Sequence, residues 1–168
     1  MDYGTLDGGL VRMMNRFWAE GTLTGEPEED LYLRSNANAV LFGMLYDQRM
    51  LAEQAFMGAR RLHERLGHLD PGKIAQHDPD EFRTLFAQTP AVHRFTNKMA
   101  AYTQQVAQVL VDQYDGDAGN IWAEDRSADE VAKLLEKLPG FGKMKAYKMR
   151  FALHYFGWRD FSDVPAKV

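Results

Sequence analysis

Leu138-Pro139-Gly140-Phe141-Gly142-Lys143-Met144-Lys145-Ala146 is the stretch on which the reading of this chain turns. Upstream of it, Ser127-Ala128-Asp129-Glu130 has the form of a capping box, and Val131, Leu134, Leu135 and Leu138 recur at helical spacing. Pro139-Gly140 ends that helix, and Ala146 to Tyr155 reads as the next one. The two glycines therefore sit in a turn where the chain takes φ > 0 and a partner approaches bare backbone. Amide N–H groups left over at the start of the second helix attract anions, phosphate in particular. Lys143, Lys145, Lys148 and Arg150 add positive charge beside them.

Charge distribution supports this corner as a docking site. The 168-residue chain carries a net charge of −4, which taken alone argues against a nucleic-acid binder. Residues 131 to 168, however, hold eight Lys or Arg against three Asp or Glu, a balance of +5 that leaves −9 on the first 130 residues. A local basic patch is what phosphate binding requires, whereas the global sum mainly sets solubility.

Composition bounds the rest. At 45% apolar residues the chain has ample material for a core, as one domain or as two small lobes around a cleft. Zero cysteines exclude disulfides, thiolate zinc sites and a cysteine-ligated iron–sulfur cluster, and agree with a reducing compartment. No apolar run approaches the roughly 20 residues a bilayer span needs, and Met1-Asp2-Tyr3-Gly4 lacks the layout of a secretion signal. The expectation is a cytoplasmic, nucleoid-associated monomer without membrane contact.

Working outward, Leu10, Met13, Met14, Phe17 and Trp18 fall at helical spacing, with Trp18 expected in the core, and an exposed acidic loop is expected from Gly21 to Asp30. Ser35 or Asn36 caps a helix that turns Val40, Leu41, Met44 and Leu45 inward and reaches Asp47-Gln48-Arg49-Met50. A further helix runs from about Leu51 to Leu66, so Gln48 lies at a helix–helix junction. Asp70-Pro71 and Asp78-Pro79 each place a capping carboxylate before a proline and mark helix starts rather than catalytic acids. Thr89 to Asn97 reads as a loop, and Met99, Tyr102, Val106, Val109 and Leu110 as a helix ending near Tyr114. The five histidines lack ligand spacing, Asp115-Gly116-Asp117 lacks the further ligands of a calcium loop, and no nucleotide-binding or nucleophile motif is present. The expected fold is all-α, with roughly eight to ten helices.

The hairpin, its lysines and the order of the helices around it resemble the helix-hairpin-helix (HhH-GPD) DNA glycosylases of the endonuclease III superfamily, in the subgroup without an iron–sulfur cluster. The resemblance covers roughly residues 36 to 163. It implies two small helical lobes flanking a cleft, built as an N-terminal helix and loop (1–34), helical lobes (35–126), the helix-hairpin-helix (127–155) and a short C-terminal segment (156–168). It implies base excision from double-stranded DNA, with Gly140, Phe141, Gly142, Lys143, Lys145 and Lys148 holding phosphates and Gln48 filling the hole left by a flipped base. A monovalent cation at the hairpin is the one cofactor the resemblance allows.

The chemistry it implies starts from the oxocarbenium-like transition state of glycosidic cleavage, which a carboxylate stabilises. Asp163, five residues after Trp158, is the favoured carboxylate, and Asp160, two residues after it, the alternative. Bifunctional relatives carry a Schiff-base lysine where this chain has Met144, so a monofunctional enzyme is expected. Tyr46, Trp122, Tyr155 and Trp158 are the candidates to stack on a flipped base. Two departures from the family stand out: Arg159-Asp160-Phe161-Ser162 replaces its glycine- and proline-rich loop, and the sequence runs only five residues past Asp163 where relatives continue into a supporting helix. The competing expectations are a non-catalytic, sequence-independent DNA-binding module and an all-α interaction domain whose hairpin is only a turn.

Overall fold

The computed structural model describes residues 3, 4, 6–162 and 164. Among them are nine α-helices, one 3-10 turn at Ala118–Asn120 and no strand, so the all-α expectation holds. The helices are α1 (Gly9–Glu20), α2 (Pro27–Ser35), α3 (Ala37–Tyr46), α4 (Ala52–Leu66), α5 (Pro71–Gln76), α6 (Pro79–Ala87), α7 (Thr96–Tyr114), α8 (Ala128–Glu136) and α9 (Gly142–Tyr155).

Their ends follow from local chemistry. Asn36 accepts a hydrogen bond from the Ala39 amide at the start of α3, Asp70 and Asp78 cap α5 and α6 ahead of their prolines, and Ser127 with Glu130 closes a reciprocal capping box on α8. Gly21 and Gly67 stop α1 and α4 in the left-handed conformation.

Helix α3 is the axis of the molecule. From Ala39 to Tyr46 every residue is buried, and the helix packs on α2, α4, α7, α9 and the 3-10 turn. Gly43 permits the closest of these contacts: a Cβ there would stand 2.6 Å from the ring of Phe56 on α4. The amphipathic pattern expected for α3 is thus overridden by burial all round. Helices α5 and α6 lie against α7 on one side, and α8 lies against α9 on the other, with the buried side chains forming one continuous core from Leu10 to Phe161.

Two expectations are corrected. The stretch 21–30 is not an exposed loop, because Pro27 opens α2 within it and the buried Asp30 carboxylate accepts the amides of Leu23 and Thr24. Trp18 is not in the core: it is 70% exposed, since α1 buries Leu10, Met13 and Met14 instead, and its ring N–H donates to the Tyr155 hydroxyl.

Candidate nucleic-acid interface

The hairpin links α8 to α9. Leu138 N–H bonds back to Leu135, Phe141 N–H bonds back to Leu138, and the buried Phe141 ring anchors the tip. Gly140 and Gly142 both have positive φ, at 80° and 68°, yet they do different work. A Cβ on Gly140 would lie 2.8 Å from Leu45 Cδ1 and 3.0 Å from the Tyr102 ring, so this glycine seats the hairpin against α3 and α7. A Cβ on Gly142 would meet nothing within 4 Å, so here the backbone is open to approach from outside. Helix α9 begins at Gly142, four residues earlier than expected, with no side chain capping its first amides and no acidic residue in its first turn. It thereby keeps the positive end of its dipole available to an anion.

Of the four cations on α9, Lys143 is the exposed one. Lys148 is held by Asp47 at 3.5 Å, and Arg150 is buried with Asp129 at 3.8 Å. Lys145 corrects the sequence reading most sharply, because it is only 7% exposed and lies outside the reach of a phosphate on the surface. Its ammonium donates to Leu45 O at 2.7 Å, Gln48 Oε1 at 3.1 Å and Gly140 O at 3.1 Å. Three donors meet three acceptors from α3, the turn after it and the hairpin. Burial pushes this amine down to about 8 while the Asp47 carboxylate pulls the other way, so it is still mostly charged at neutral pH. The Gly140 carbonyl on the hairpin accepts one of this ammonium's hydrogen bonds.

Gln48 is therefore joined to the hairpin through Lys145, whose ammonium reaches both Gln48 Oε1 and Gly140 O. The turn that carries it, residues 47–51, is pinned from a third direction. His93, fully buried, places Nε2 at 2.9 Å from Tyr46 O while its Nδ1 lies at 2.9 Å from the Phe95 N–H. These partners fix the neutral tautomer with the proton on Nε2, and burial holds the imidazole below its ordinary pKa. Arg94 Nη1 donates to Arg49 O at 3.0 Å, and Lys98 lies over the Tyr102 ring at 5.8 Å. Arg49 on the turn, Arg94 bonded to it, Lys98 over Tyr102 and Lys143 in the first turn of α9 are the cations of this corner. Arg94 was missed because it belongs to a loop with no periodic signal of its own, and Lys98 because it stands in the first turn of α7; only the chain's path brings them beside the turn after α3.

The four aromatic candidates are each held by partners within the fold. Tyr46 is fully buried with its hydroxyl 2.8 Å from Thr103 Oγ1, and burial raises its pKa. Trp122 is buried at 6.2 Å from the Trp158 ring, whose N–H donates to Leu33 O. Tyr155 is buried and bonds Tyr3 and Trp18. Core packing accounts for each. Asp160 is 79% exposed, bonds the Ser162 N–H and hydroxyl, and stands 3.5 Å from His154 near the far end of α9. At 1.5 Å of rise per residue, the 14-residue helix separates it from the hairpin by roughly 20 Å. Asp163 lies outside the described residues.

Among the described residues no group of three histidines or carboxylates is placed to hold a metal, and no helix is long and apolar enough to cross a membrane. No protein-family model, no curated protein and no solved structure matches the chain. Fold and site together define an all-helical protein with a seated glycine hairpin and a pinned basic turn beside it.

Proposed function

We propose that the chain binds duplex DNA and inspects it for damaged or mismatched bases, as a base-excision glycosylase of the helix-hairpin-helix type without a metal cluster. The observation that carries this reading is the contact between the hairpin and Gln48 through Lys145. It joins an anion-binding helix start, which holds a phosphate without regard to sequence, to a polar side chain on a rigid turn, suited to a disturbed base pair. Met144, at the place of the Schiff-base lysine, supports base removal without strand cleavage.

A second reading, a non-catalytic DNA-binding module, is favoured by two observations. The stacking candidates Tyr46 and Trp122 are committed to the core, and Asp160 stands at the far end of α9. One experiment separates them: binding of labelled duplexes followed by anisotropy, then incubation with duplexes bearing uracil, alkylated, oxidised or mismatched bases and assay for abasic sites with and without alkali. Alkali-dependent cleavage supports the enzyme, binding without base release supports the module, and no binding to any duplex sinks both.

A further inference from the structure

A cavity of about 230 Å³ lies between the segment before α1 and the first two turns of α9, lined by Leu6, Asp7, Met144, Tyr147 and Lys148. Met144, Tyr147 and Lys148 are spaced by three and four residues and so share one face of the helix. That face begins two residues after Gly142, whose open backbone and uncapped amides form the proposed phosphate contact. At 1.5 Å of rise per residue, these three side chains stand within roughly 10 Å of that contact along the helix axis. A nucleotide held there by its phosphate is close enough to place its sugar and base in the cavity.

The segment that brings Asp7 to the cavity is anchored on both sides. Before it, Tyr3 sets its ring edge-on to Phe151 at 5.8 Å, bonds the Tyr155 hydroxyl, and accepts the Leu6 N–H on its carbonyl at 3.0 Å. After it, Gly8 turns the chain at φ 89° into α1, where a Cβ on Gly9 would lie 2.8 Å from Ala52 Cβ and where Arg12 bonds Glu53 twice. Asp7 is exposed, and among the described residues its carboxylate makes no hydrogen bond or ion pair. The other aspartates along α9 are engaged or remote: Asp47 holds Lys148 at 3.5 Å, Asp129 stands 3.8 Å from Arg150, and Asp160 lies near the far end of the helix.

Leu6, Met144 and Tyr147 give the cavity apolar and aromatic walls, and the Asp47 carboxylate offsets the Lys148 ammonium. The charge left in the cavity is that of Asp7. We infer that Asp7 is the catalytic carboxylate of this chain, supplied from the segment before α1 and not from the one after α9. The inference rests on the base-excision reading. As the C1′–N bond of the extrahelical nucleotide breaks, its electron pair leaves with the base, and Asp7 stabilises the positive charge growing on the sugar. Water adds its oxygen to C1′ and gives one proton to Asp7, which passes it to the departing base. A free base and an abasic sugar with a hydroxyl at C1′ remain, and the carboxylate is restored.

The test uses the full chain and duplexes that each carry one uracil, alkylated, oxidised or mismatched base, with free base measured in single-turnover reactions and binding followed by anisotropy. On a duplex that wild type processes, Asp7→Asn slows base release roughly 10²–10⁴-fold and binds as wild type does. Asp7→Glu recovers part of the rate. Because the Asp7 side chain is exposed and unbonded, Asp7→Asn melts with wild type, which separates lost chemistry from a lost fold. If Asp7→Asn releases base as fast as wild type, or if only Asp163→Asn stops release, Asp7 is not the catalytic carboxylate and the base-excision reading stands. If Asp7→Asn loses duplex binding in step with base release, Asp7 is a docking residue and the assignment is overturned. If wild type binds duplex and releases no base from any of them, the base-excision reading itself fails and the role of Asp7 with it.

Discussion

The ammonium of Lys145 lies 3.1 Å from Oε1 of Gln48, a residue 97 positions away in the chain. The same nitrogen reaches the Gly140 carbonyl, so one buried cation ties the two halves of the proposed DNA surface into a unit. Replacing it with methionine keeps the bulk and strands the Leu45 and Gly140 carbonyls. Lys145→Met is expected to lose about 1–3 kcal/mol of stability, read by denaturant unfolding, and to weaken mismatch preference more than overall affinity.

The same lysine sets a pH dependence. Its folded pKa, about 8, lies below the 10.5 of the free side chain, so the unfolded chain binds more protons between those values. Stability of wild type relative to Lys145→Met should therefore rise with pH from about 8 to 10.5. Paired denaturant titrations at the two ends of that window check the sign, and a difference that does not change would mean that the ammonium is not desolvated as described.

His93 works at the acid end. Burial keeps its imidazole neutral in the folded state below the ordinary value of 6.5, and its Nδ1 accepts the Phe95 N–H. Stability is lost as pH falls below 6.5, because the unfolded chain takes up the proton first. Thermal unfolding across that range should show a shallower acid decline in His93→Gln than in wild type.

The two hairpin glycines should separate under mutation. Gly140→Ala forces a Cβ into Leu45 and Tyr102 on top of an unfavourable φ, for an expected loss of about 2–4 kcal/mol. Gly142→Ala meets open space and costs only the backbone strain, about 1–2 kcal/mol. Melting temperatures should rank wild type, Gly142→Ala, Gly140→Ala. Duplex affinity measured well below those temperatures should fall further in Gly142→Ala than its stability alone explains.

Charge on the surface is tested by salt. Lys143→Ala should weaken binding to all duplexes alike and lower the slope of log affinity against log salt by about 1. Asp160→Asn, near the far end of α9, should leave anisotropy titrations unchanged.

Much of the fold was legible because it is written in short-range chemistry. Asp70-Pro71, Asp78-Pro79, Asn36 and Ser127 announce helix starts through bonds made within three residues. The inner face of α3 was legible from spacing, but its complete burial was not, since that depends on four helices closing around it. The site was harder. Lysines at 143, 145 and 148 look alike in sequence, and only the approach of Leu45 and Gln48 decides that one of them is a strut and another a surface charge. Trp18 misled for the opposite reason: the apolar stripe of α1 was real, but its last turn runs past the core that stripe covers.

Gly140 has a consequence for kinetics. Its missing side chain lets the hairpin seat against α3 and α7, so on the proposed reading the surface that meets a polyanion is set before the encounter. Capture by such a preset surface is governed by encounter and by long-range steering, so the association rate should fall steeply with added salt. On the proposed DNA-binding reading, what distinguishes one site from another is then how long the protein stays.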